Sequence, residues 1–128
     1  MRHIYAIGLL IALTGLVGCA ASKERPPPPD AIEMTSNSFD PATRTVKQGG
    51  TLTFHNPGSG RGALHILVNG DQGAARREQG AASFGGAAGH RSERGDVWTT
   101  PVWSTPGTFH ITCTIHPEMN LTVTVTPA

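Results

Sequence analysis

Three side chains able to hold a metal fall within seven residues near the C-terminus: Cys113, His116 and Met119, in the run CTIHPEM. A thiolate, an imidazole and a thioether at C-x2-H-x2-M spacing form a soft and borderline donor set, which suits copper. Zinc would also accept the thiolate and imidazole. The strength of the set depends on whether Cys113 is a free thiol, and that is decided at the other end of the chain.

The chain begins MRHIYAIGLLIALTGLVGCA. Arg2 and His3 form a short basic region, and Ile4 to Val17 are almost entirely apolar. This run is shorter than the roughly 20 residues that a comfortable transmembrane helix needs, and it ends in small residues, as a cleaved export signal does. Leu16-Val17-Gly18-Cys19 resembles the lipobox of bacterial lipoproteins. That resemblance implies a signal peptide over residues 1–18 and a diacylglycerol on Cys19, which becomes the new N-terminus. It places the working domain outside the cytoplasm, on the periplasmic or cell-surface side of a membrane. Two cysteines in an exported chain would first suggest a disulfide; with Cys19 lipidated, Cys113 has no partner. An unpaired thiol in an oxidising compartment is a liability that a bound metal would justify.

Residues 19–30 read as a linker. Small and charged residues lead into Pro26 to Pro29, and polyproline favours an extended helix rising about 3.1 Å per residue. Residues 31–128 are long enough for one single-core domain. The formal net charge is +1 over the whole chain, so there is no basic footprint for nucleic acid.

The elements that must position the donors read as strands. Ile32, Met34 and Phe39 precede the turn signal Asp40-Pro41. Thr43 to Lys47 is rich in β-branched residues, and Thr51 to Phe54 alternates polar and apolar. Ala63 to Asn69, Val97 to Trp103, Thr108 to Cys113 and Leu121 to Val125 continue the pattern, separated by Gly, Pro and Asn turns. Short strands with regular turns predict an all-β, antiparallel Greek-key β-sandwich. Residues 71–96 break the rhythm. They are rich in Gly, Ala and Arg, with Phe84 as their one large apolar residue, and they read as a flexible insertion with nothing to build a core, save a possible helical turn over Gly73 to Gln79 capped by Asp71.

Strand parity sorts the histidines. Phe109, Ile111 and Cys113 share one face, which puts the sulfur at the end of the core, while His110 lies on the opposite face and is a poor ligand. His116 and Met119 fall in the loop that follows. A site of two imidazoles, one thiolate and a weak axial thioether needs a second histidine. His65, flanked by Leu64 and Ile66 in a β run, is the best candidate. His55 reads as solvent-facing, His90 as a loop residue, and Trp98 and Trp103 as core or edge aromatics.

On Phe39-Asp40-Pro41, TVKQGGTLTFHN, the lone His65, Pro106-Gly107-Thr108-Phe109 and CTIHPEM, the domain resembles the cupredoxins, the blue copper proteins that include plastocyanin, amicyanin, pseudoazurin and the membrane-tethered auracyanins. The short C-x2-H-x2-M loop with Pro117 is most similar to that of amicyanin. The resemblance implies one type 1 copper ion, with His65, Cys113 and His116 equatorial and Met119 axial. Two positions depart from the family's pattern. Ile66 stands where many members have an Asn that ties the ligand loops together, and Thr112 stands where many have an aromatic residue.

The function implied is single-electron transport between extracytoplasmic redox partners, without substrate turnover, by a monomer tethered through Cys19. Partners are expected to dock near His116, on an apolar surface formed by Ala63, Leu64 and Met119. The competing class is copper handling (chaperone, store or resistance protein) with the same ligands. A copper enzyme would need further ligands and more domains.

Overall fold

The computed structural model describes residues 26–128. The expected signal peptide 1–18, the expected lipidation site Cys19 and most of the expected linker 19–30 therefore lie outside the described residues. Ten strands follow in chain order: β1 (Ile32–Met34), β2 (Phe39–Asp40), β3 (Thr43–Lys47), β4 (Thr53–His55), β5 (His65–Asp71), β6 (Ala74–Ala75), β7 (His90–Ser92), β8 (Val97–Thr99), β9 (Gly107–Cys113) and β10 (Asn120–Thr126). Among the described residues, a single 3-10 turn spans Gly86–Ala88.

The strands form two sheets. One has the order β2-β1-β4-β8, and the other β3-β10-β9-β5-β6, with β7 also on β5. Alternation puts one face of each against the core. On β10, Leu121, Val123 and Val125 are buried and the intervening threonines look outward; on β9, Phe109, Ile111 and Cys113 point inward. The sandwich is mixed rather than purely antiparallel. β1 runs parallel to β4, and β10 runs parallel to β3. Consecutive strands β2 and β3 lie in opposite sheets, so the chain crosses between layers at Pro41-Ala42 and β3 joins the second sheet alongside β10.

Aromatic rings fill the space between the sheets. Phe54 packs edge-on against Phe39 and Phe84 and stacks on Trp98, at centroid separations of 5.8, 6.1 and 6.0 Å. Phe84 also meets Trp98 at 5.1 Å and Trp103 at 6.5 Å, and Trp103 continues to Phe109. Trp103 is fully buried, with its indole N–H donating to Thr100 Oγ1 at 3.2 Å. The β run expected from Val97 to Trp103 ends at Thr99. Pro101 has no N–H for a ladder, and beyond it the backbone of Trp103 bonds the Gly49-Gly50 turn instead.

The expectation for 71–96 is corrected at its centre. Phe84 is 1% exposed and Ala82 is 5% exposed, both in the main core cluster. One aromatic ring is enough, because full burial of a Phe contributes roughly 1.5–3 kcal/mol. The possible helix over Gly73 to Gln79 is also absent: Ala74–Ala75 is a strand closing a hairpin with β5.

Candidate metal centre

The site is built where β5 and β9 run side by side. Leu67 stands opposite Cys113 in that antiparallel pair, so His65, two residues along β5, shares the inward face with both. The ladder is carried one step further by Thr114 N–H donating to the Ile66 carbonyl at 2.9 Å. A tie between the two ligand segments is therefore present at Ile66, supplied by its main chain rather than by an Asn side chain.

His65 and Cys113 are both 0% exposed. Nδ1 of His65 lies 3.8 Å from Cys113 Sγ, and Nδ1 of His116 lies 3.5 Å from the same sulfur. The three donor atoms all fall within 4.8 Å of one another, and the two imidazole rings meet edge to face at 5.2 Å. Both Nδ1 atoms converge on the thiol from different segments, as donors around one small ion would. Met119, the fourth expected ligand, is 0% exposed in the loop that leads into β10.

The loop between Cys113 and Asn120 is short and heavily bonded. Met119 N–H donates to the His116 carbonyl at 2.9 Å, and Cys113 N–H donates to the Met119 carbonyl at 3.2 Å. The Asn120 amide donates to the Pro117 carbonyl at 2.9 Å. These bonds fold His116 back towards the sulfur and leave its ring half-buried.

The electrostatics favour a metal over a proton. The His65 pKa is pushed down to about 4, first by burial and then by the neighbouring His116, with the Thr35 backbone offsetting part of the effect. At neutral pH its imidazole is an uncharged lone-pair donor, the form in which histidine binds metals. With a buried thiol and thioether, this set fits a type 1 copper site.

The remaining histidines fall elsewhere. His110 is on the outer face of β9, as parity requires, with Nδ1 2.7 Å from Glu78 Oε1. His90 stacks on Trp98 at 3.8 Å. His55 departs from expectation: it is 4% exposed at the end of β4, where it pairs with Val97 of β8. Among the described residues, His65, Cys113 and His116 form the one cluster of this kind.

Asn56, the last residue of the TVKQGGTLTFHN run, is a positioning residue to which the sequence assigns no role of its own. It is 0% exposed. Its amide donates to the Ala63 carbonyl at 2.7 Å and to Ser92 Oγ at 3.3 Å, and its Oδ1 accepts from Ala63 N–H at 3.3 Å. It thereby anchors the segment that delivers His65. No local spacing announces such a role, because its partners lie 7 and 36 residues away.

Neither a family model nor a curated protein sequence matches this chain. Solved structures do. The chain is similar to a reduced amicyanin mutant at 18% identity, covering 75% of this chain and 80% of that one, with a TM-score of 0.55. A second reduced amicyanin mutant matches at 18% identity over 77% and 85% of the two chains, with a TM-score of 0.56. A novel purple cupredoxin from Nitrosopumilus maritimus matches at 20% identity over 70% and 82%, with a TM-score of 0.51. The chain has the cupredoxin fold. Within the cupredoxin sandwich, the buried His65 and Cys113 come from adjacent strands, and His116 and Met119 come from the loop joining β9 to β10.

Proposed function

We propose that this protein is a membrane-tethered carrier of single electrons, with a type 1 copper ion held by His65, Cys113, His116 and Met119. The convergence of two Nδ1 atoms on one buried thiol, 3.5 and 3.8 Å away, carries the reading. Copper in such a set exchanges one electron between Cu(II) and Cu(I), because two imidazoles, a thiolate and a weak thioether are tolerable to both states. The protein's part is to hold the donors still. The strand ladder sets the spacing of His65 and Cys113, and the bonded loop does the same for His116.

Tethering rests on the lipobox Leu16-Val17-Gly18-Cys19 and the prolines that follow it. The docking surface is revised from expectation, because Met119 is buried. Leu64, 38% exposed, and Ile115, 44% exposed, flank the ligands with exposed Pro117. The half-buried edge of His116 between them is the route for the electron. A cleft of about 610 Å³ is lined by Val68, Arg77, Glu78 and Gly86 among others, and none of the four donors lies in it.

The test is colour. The copper-loaded oxidised protein should show intense visible thiolate-to-copper absorption and a type 1 EPR spectrum, and it should reduce and reoxidise reversibly; Cys113→Ser should abolish both signals. A colourless protein that binds Cu(I) alone and exchanges it rapidly would refute the carrier and support copper handling.

A further inference from the structure

The hairpin after β5 reaches the ligand loop. β5 and β6 are joined by the two residues Gln72 and Gly73, with φ of 51° and 76°. Two successive left-handed residues make the tight turn that matches the twist of a two-residue hairpin. The turn lies against Pro117, directly after His116: a Cβ added to Gly73 would stand 3.0 Å from the Pro117 ring.

Both turn amides bond side chains of the strand residues that bracket the ligand loop. Gln72 N–H is shared between Asn120 Oδ1 at 2.9 Å and Asp71 Oδ1 at 3.0 Å, and the amide of that same Asn120 donates to the Pro117 carbonyl. Gly73 N–H donates to Thr112 Oγ1 at 2.9 Å, and the Thr112 hydroxyl donates to the Met119 carbonyl at 3.2 Å. Thr112 points to the outer face of β9, yet it is 0% exposed because the turn covers it. Two short relays therefore run from one hairpin to residues neighbouring Cys113, His116 and Met119. The chain's own departure from the aromatic pattern, Thr112, is the hub of one relay.

We infer that Thr112 is a positioning residue, through which the Gln72-Gly73 turn clamps the ligand loop and fixes the placement of Met119 relative to Cys113. Its effect on a copper spectrum rests on the reading above; its effect on loop closure does not. Thr112→Val keeps the shape and removes both hydroxyl bonds, whereas Thr112→Ser keeps the hydroxyl. Gly73→Ala sets a methyl against Pro117 at a left-handed φ and opens the same clamp from the other side.

The metal-free full chain should be treated with a thiol alkylating reagent. Cys113 is buried, so its labelling rate in folded protein reports opening of the loop. Loss of both hydroxyl bonds in Thr112→Val should accelerate labelling by roughly tenfold or more, and Gly73→Ala, which strains the turn against Pro117, should also label faster than the parent. Thr112→Ser should label like the parent. Val125→Ala, a core truncation in the same sheet, should lower thermal stability without that acceleration. In copper-loaded protein, Thr112→Val should shift the reduction potential and the ratio of the visible bands, and Thr112→Ser should restore them. Equal labelling rates in Thr112→Val and the parent would overturn the clamp. A parent protein with no blue band would overturn the copper reading instead, with the labelling rates still deciding the clamp.

Discussion

Acid should destabilise the metal-free domain through one residue. His65 is fully buried and its folded-state pKa is about 4, against 6.5 for an unperturbed histidine. The unfolded chain therefore takes up a proton first as pH falls. His65 contributes its full stability above about pH 6.5, loses it progressively towards pH 4, and changes nothing further below that. Linkage between these two values gives a loss of about 1 kcal/mol at pH 5.5, about 2–3 kcal/mol at pH 4.5, and a plateau of roughly 3 kcal/mol. Such a loss is a large part of a typical domain stability of about 5–15 kcal/mol. The assay is urea unfolding of the copper-free domain at several pH values, with His65→Gln as the reference. Carboxylates and the other histidines titrate in both proteins, so the difference between the two curves isolates His65. If that difference is flat between pH 7 and 4.5, His65 is not held neutral by burial and the reasoning fails.

Other perturbations separate the parts of the structure. Phe84→Ala should cost about 3–5 kcal/mol by denaturant unfolding, since the ring touches Phe54, Trp98 and Trp103; a cost below 1 kcal/mol would return 71–96 to the status of a surface insertion. Asn56→Ala leaves the half-buried Ala63 carbonyl without its side-chain donor and should cost about 1–2 kcal/mol, with faster metal loss from the His65 side. Leu64→Asp should slow electron exchange with physiological redox partners while leaving the visible spectrum intact; unchanged rates with every partner would remove the docking surface.

How far the residues disclose this arrangement follows from the range of the forces involved. Period-two alternation is local, so β9, β10 and the inward face of Cys113 are legible, and the same parity sets His110 aside. The spacing in CTIHPEM is local too, and it places His116 and Met119 in one loop. His65 can be drawn in only by asking what the donor set lacks, because its partner is 48 residues away. Interactions without periodicity leave no trace. The burial of His55, the bonds of Asn56 and the cover over Thr112 all depend on segments that meet only after folding. Phe84 misleads for a related reason: composition averaged over 71–96 is polar, while burial is decided by a single ring.

That stretch also changes how the metal site is held. A strand pair alone can fix His65 against Cys113, because both belong to one hydrogen-bonded ladder. It cannot fix His116 and Met119, which sit beyond the ladder's end. Their loop is restrained by its own backbone bonds and from outside by the Gln72-Gly73 turn. A few residues later the same stretch holds His110 through Glu78 on the outer face and then sends Phe84 between the sheets. It thus grips the second sheet on its outer face and in the core. A replacement by a short linker would release the ligand loop and remove the Phe84 ring from the aromatic core together, so the stretch belongs to the site as much as the donors do.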